Sequence, residues 1–171
     1  PDVSDVPGYG SFDAIIGRLV LLYLGDPVAA ITTLLNAARP TGIIAFQEIA
    51  ISKAFTQPFC PTVEIARDVL GKAFEAAGAD PDCGLKLDRV FRHSGLQPRF
   101  VATAAIEGAY DSGITAWVAA TLRSLAPVIE RLELPRSFDL SSIASQMRLE
   151  IEKNEATVLG PLIIGAFARR S

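Results

Sequence analysis

Ser11–Pro27 reads SFDAIIGRLVLLYLGDP. Phe12–Gly17 is a short, Ile-rich apolar run. It suits a strand buried on both faces, as in a parallel sheet. A turn and a short apolar helical stretch follow. Asp26 is a good N-cap, and Pro27 is a good first helical residue. Apolar positions then recur at Val28, Ile31, Leu34, Leu35 and Ala38, which is helical spacing. Arg39-Pro40-Thr41-Gly42 ends that helix, since Pro cannot continue it and Gly turns the chain. Ile43–Ile49 is a second buried strand. Strand, helix and strand with short links form a βαβ unit, which predicts two parallel strands joined by a right-handed crossover.

Working outward, residues 50–61 read as irregular, with two prolines and two phenylalanines. Thr62–Ala79 carries an apolar face at helical spacing, and Asp80-Pro81-Asp82 is a turn. Leu85–Ser94 reads as a helix stopped by Gly95. Arg99–Ile106 reads as a third strand. Residues 112–153 read as two helices broken near Pro135, with Pro127 kinking the first and Asp139 capping the second. Leu162–Ala168 is the last strand.

The chain of 171 residues is long enough for one domain with a real core. Half its residues are apolar, a fifth are charged, and the net charge is −3. Lys and Arg are scattered singly, so no basic run points to nucleic acid. The apolar stretches Ala14–Leu24 and Leu159–Ala168 are both interrupted. They fall far short of the roughly 20 residues that a membrane span needs. No secretory pattern opens the sequence. Cys60 and Cys83 make no disulfide framework, lie in no CxxC pair, and have only His93 as a neighbouring ligand type. The expectation is a reduced, cytoplasmic protein without a metal site.

FDAIIGRLVLLYLGDPVAAI resembles the fourth strand and following helix of the class I S-adenosylmethionine-dependent methyltransferases. RPTGIIAFQEI resembles their fifth strand with its Pro-x-Gly turn, and HSGLQPRFV their sixth. The resemblance covers roughly residues 11–106 and 159–169. It implies an α/β, Rossmann-like half-sheet of strand order 4-5-7-6 with an antiparallel last strand, a single partial domain over 1–171. Residues 110–159 then replace a tight hairpin with a helical insertion, a candidate lid or pocket wall. The family's GxGxG loop and the acidic residue that holds the ribose are absent, and Gly8-Tyr9-Gly10 follows no strand. The expectation is the C-terminal half of a longer protein, inactive by itself.

The resemblance places Gly17, Arg18 and Leu19 beside the S-adenosylmethionine cofactor. Gly17 would allow close backbone approach. Arg18 is either a carboxylate anchor or a plain surface cation. Gln47 and Glu48 end the next strand at the same crevice. Glu48 either orients or deprotonates a methyl acceptor, or is a carboxylate hydrogen-bonded at a strand end. Phe55, Phe59, Tyr110 and Trp117 are candidates for a small-molecule acceptor pocket, with core packing the other reading of Trp117. His93, in a last helical turn, suits the helix dipole better than catalysis. No catalytic residue is assigned. The Phe12–Gly17 strand would have an open edge, a template for pairing with a second copy or a missing half. The functional readings are methyl transfer in a full-length enzyme, a non-catalytic module for self-association, or, third, another nucleotide-dependent α/β enzyme.

Overall fold

The computed structural model describes residue 10 and residues 12–108, 111, 113–133 and 139–170. In chain order the elements are β1 (Phe12–Arg18), α1 (Pro27–Ala37), β2 (Ala38–Ala50), β3 (Phe55–Gln57), α2 (Pro61–Ala76), α3 (Leu87–His93) and β4 (Arg99–Thr103). They continue with β5 (Ile106–Glu107), α4 (Gly113–Ser124), α5 (Ala126–Arg131), α6 (Ile143–Lys153), β6 (Thr157–Leu159) and β7 (Leu162–Arg169). The chain divides into two compact units. One comprises the chain up to Ala50, Asp82–Thr103 and Ile163 onward; the other comprises Ile51–Pro81 and Ala104–Leu162.

The first unit is an α/β layer built on a four-stranded sheet of order β1-β2-β7-β4. β1 and β2 run parallel, in register from Ala14↔Ile43 to Arg18↔Gln47. β4 and β7 run antiparallel, from Arg99↔Phe167 to Thr103↔Ile163. α1 starts where the local chemistry directs: Asp26 Oδ1 accepts the Ala29 N–H at 2.9 Å and Pro27 is the first helical residue. Arg39–Gly42 is not the turn expected. The chain passes from α1 directly into β2, because the strand beside it supplies partners. The Thr41 N–H donates to Arg170 O at 3.1 Å, and the Arg170 N–H donates to Gly42 O at 2.8 Å. Thr41 takes a left-handed φ of 65° to do so.

Strand alternation sorts β2 into two faces. Ile44, Phe46 and Glu48 are buried and share one face. The Phe46 ring meets the Phe91 ring of α3 edge-on, with centroids 6.5 Å apart. Each fully buried side chain such as Ile44 or Phe91 contributes about 1.5–3 kcal/mol. α1 packs on the same side, and Ser94 Oγ, just beyond α3, donates to Val28 O at 3.3 Å. The opposite face holds Ile16, Ile43, Ala45, Val101 and Phe167. No helix of this unit covers it among the described residues.

The second unit has a three-stranded antiparallel sheet of order β3-β6-β5 with α2, α4, α5 and α6. Several sequence expectations change here. Residues 50–61 contain a 3₁₀ turn (Ile51–Lys53) and β3, and are not irregular throughout. The run Arg99–Ile106 splits: β4 ends at Thr103, and Ile106 begins β5 in the other sheet. Leu85–Ser94 is a 3₁₀ turn (Cys83–Lys86) followed by α3. Pro127 does not kink one long helix. It sits in the first turn of α5, where its missing N–H costs nothing. Asp139 does not cap α6. Its carboxylate accepts from the N–H and hydroxyl of Ser141 in the preceding turn, and α6 begins at Ile143. The break expected near Pro135 lies outside the described residues.

Two helical starts in this unit are closed by acids from elsewhere in the chain. Cys60 gives α2 no side-chain cap, and Glu150 Oε2 accepts the Thr62 N–H at 2.8 Å. At α4, Glu107 Oε2 accepts the Ile114 N–H at 2.7 Å.

Candidate functional site

In open α/β sheets, ligands lie at the carboxyl ends of the parallel strands. Here that place is the end of β1 and of β2. Gly17 pairs with Phe46, and a Cβ on Gly17 would lie 2.2 Å from Phe46 Cε1. The space a side chain would need is thus filled by the neighbouring ring. The backbone then bends sharply. Leu19 adopts a left-handed φ of 53°, and its N–H donates to Gln47 O at 2.8 Å. A 3₁₀ turn over Leu21–Tyr23 follows, whose first residues have no side-chain cap of their own. Glu48 provides one. Its Oε1 accepts the N–H of Val20 at 3.0 Å and of Leu21 at 2.8 Å.

Glu48 has no exposed surface, and its Oε2 has no hydrogen-bond partner. Burial pushes its carboxyl above the usual 4.5, against the pull of the Leu21, Val20 and Leu22 N–H donors. Of the two sequence readings of Glu48, the hydrogen-bonded carboxylate at a strand end is the one these contacts match. Three successive backbone N–H groups after β1 are therefore committed inward. What the loop presents outward is the exposed Arg18 side chain, with Gln47 beside it in register. Arg18 forms no ion pair among the described residues. Tyr23, on the 3₁₀ turn, is 62% exposed and is not the core residue its neighbours suggest.

The other pocket candidates lie in the second unit. Phe55 and Trp117 line one small cleft with Ile114, Val118 and Val158, and Glu64 and Arg67 also line it. Phe59 is mostly exposed. Tyr110 lies outside the described residues. The cleft rests on a polar network that sequence reading did not single out. Glu64 Oε1 accepts the Thr56 N–H at 3.0 Å and the Thr56 hydroxyl at 3.1 Å, and Glu64 pairs with Arg67. Arg67 also donates to Ala54 O at 2.9 Å. One Glu among the apolar positions of α2 carries no local mark of this role. His93 is exposed in the last turn of α3. Both cysteines are buried, and neither is in a disulfide. Among the described residues no acidic, His or Cys cluster could hold a metal, and no helix is long and apolar enough to cross a membrane.

The whole chain superposes on solved structures of the same architecture. YcgJ of Bacillus subtilis is 11% identical, with a TM-score of 0.53 over 100% of this chain and 70% of that one. BH2331 of Bacillus halodurans C-125, provisionally described as a methyltransferase, is 8% identical, with a TM-score of 0.55 over 99% of this chain and 69% of that one. No protein-family model matches the sequence, and no curated protein matches it. The fold shared with these structures, an α/β arrangement with a mixed sheet and helices, is consistent with the methyltransferase fold that the motif resemblance implies. At these identities the likeness speaks for fold and not for activity.

Proposed function

We propose that this chain forms one side of a methyltransferase that takes its methyl group from S-adenosylmethionine and passes it to a small-molecule acceptor. The observation that carries this reading is the braced loop at the end of β1. A glycine, a left-handed Leu19 and a buried carboxylate hold it rigid at the carboxyl ends of two parallel strands. The order β1-β2-β7-β4 supports the half-sheet reading, since the resemblance assigns these strands the order 4-5-7-6.

S-adenosylmethionine supplies an electrophilic methyl on a sulfonium, and binding geometry supplies much of the rate. The residues present fit one wall of such a cofactor. Gly17–Leu19 offers a backbone surface, and Arg18 offers a cation for a carboxylate. The Gly-rich loop and ribose-binding acid of the family have no counterpart, so the chain by itself binds weakly and does not turn over. Titration of the isotope-labelled chain with S-adenosylhomocysteine, followed by NMR, should move the amides of Gly17, Arg18 and Leu19 with a dissociation constant on the order of 1 mM. Shifts confined to other residues would sink the site. Micromolar binding by calorimetry would sink the incomplete wall.

The second reading, a non-catalytic self-association module, is favoured by one observation. β1 is an outer strand of the sheet, with Ile16 exposed.

A further inference from the structure

The segment that leaves β1 is held by one side chain of the neighbouring strand. Glu48 Oε1 accepts the N–H groups of Val20 and Leu21, while Leu19, in its left-handed conformation, donates to Gln47 O. Leu21 and Leu22 are buried, so apolar contact closes the segment as well. Glu48 Oε2 is equally buried and has no hydrogen-bond partner. A neutral carboxyl bears that place at small cost. A carboxylate there carries half its charge on an oxygen that meets no donor among the described residues.

No neighbouring charge relieves it. The 3₁₀ turn Cys83–Lys86 packs on β2, where a Cβ on Gly84 would lie 3.0 Å from Glu48 O. Its titratable groups are Cys83, which is buried, and Lys86, which is exposed; Asp82 just before them is half-buried. α1 has none, and those of α3 (Asp88, Arg89, Arg92 and His93) are exposed. Arg18 and Tyr23, on the segment itself, are exposed too. Asp13 of β1 pairs with Arg39, and Arg169 of β7 stands at the opposite end of β2, beside Thr41. Burial against backbone N–H donors sets the balance at Glu48, and no charged side chain enters it.

We propose that Glu48 is a proton-operated latch on the segment Arg18–Tyr23: the neutral side chain holds the segment closed, and loss of its proton to solvent releases it. On release the carboxylate gains water at both oxygens, and the N–H groups of Val20 and Leu21 exchange their acceptor for water. The apolar burial of Leu21 and Leu22 opposes release, so the open form is a minor one that grows with pH. Closure raises the affinity of Glu48 for its proton. The latch is therefore tightest below the pKa of the open form and slackens as pH rises through that of the closed form. The opposite response, in which a charged Oε1 tightens both N–H bonds, has the opposite sign. The latch stands on these contacts and not on the methyl-transfer reading; under that reading, the segment it releases is the cofactor wall.

The test follows amide hydrogen exchange by NMR on the full chain from about pH 4.5 to about pH 8, each rate divided by its intrinsic value at that pH, with the Glu48 Cδ resonance recorded beside it. Protection at Val20 and Leu21 should fall about tenfold, a factor of ten for each unit by which closure raises the pKa, in step with the titration of Cδ. The opening should be local. Protection at these two amides should lie below that of Ile44 inside β2 and hold nearly constant in about 1 M urea, where opening by global unfolding would grow. Glu48→Gln keeps the acceptor oxygen and every other titratable group, and its protection at Val20 and Leu21 should not follow pH. Should that variant fail to fold, the pH series of the native chain still decides. Protection that stays level or rises with pH would overturn the latch. So would an equal fall in Glu48→Gln, or exchange of Val20 and Leu21 only at the level of Ile44.

Discussion

Glu48 is a residue whose ionisation opposes its place in the fold. A carboxylate with no exposed surface loses hydration that the neighbouring backbone N–H donors only partly replace. Its folded-state pKa is therefore raised above 4.5. The folded chain holds that proton more tightly than the unfolded one, so the contribution to stability is fully present below 4.5 and is lost as pH rises through the folded value. Glu48→Gln keeps an acceptor for Val20 and Leu21 and has no charge to bury. Urea unfolding at pH 4.5 and at pH 8 should show the variant gaining on the native chain as pH rises. An identical pH dependence in both would contradict the burial argument. Gly17 illustrates how far a sequence carries such a site. The glycine after a buried strand is visible at once, and the resemblance offers a cofactor as its reason. Phe46, nearly thirty positions away, is what fills the space, and only the register of β1 on β2 brings the two together.

Among elements, the legible ones carry their own signals. α1 has Asp26, Pro27 and a clean apolar stripe within a few residues, and it forms where the pattern places it. β3, β5 and β6 have two or three residues each, too few for any alternation to register, and they exist only by pairing with one another. The 3₁₀ turn after β1 and the helices α2 and α4 take their N–H acceptors from Glu48, Glu150 and Glu107, so a local capping rule does not see them. Glu150→Ala should cost about 1 kcal/mol of stability, the size of a lost helix cap, because Cys60 gives no substitute. Denaturant melting of the variant checks it. A change within a few tenths, with α2 intact by circular dichroism, would mean that water replaces the carboxylate at no cost.

At the scale of the molecule, the open edge of β1 weighs most. Its groups on the side away from β2 have no strand partner among the described residues, and Ala14, Ile15 and Ile16 at its centre are apolar. Such an edge favours strand addition. In concentrated solution, light scattering should show the mass rising above that of the monomer, with hydrogen-exchange protection growing at Ala14–Gly17. A monomer at every concentration, with those amides exchanging freely, would leave the edge unpaired. The edge follows from the apolar run alone, whereas the division into two units does not: it depends on long-range pairing, such as β5 on β6, between segments far apart in the chain. The bond from Thr62 to Glu150 joins residues 88 positions apart. A growing polypeptide presents α2 long before its acceptor has been made. Its first turn is then finished only when α6, the last helix among the described residues, has appeared, which makes assembly of this unit slower than that of a bundle of locally closed helices.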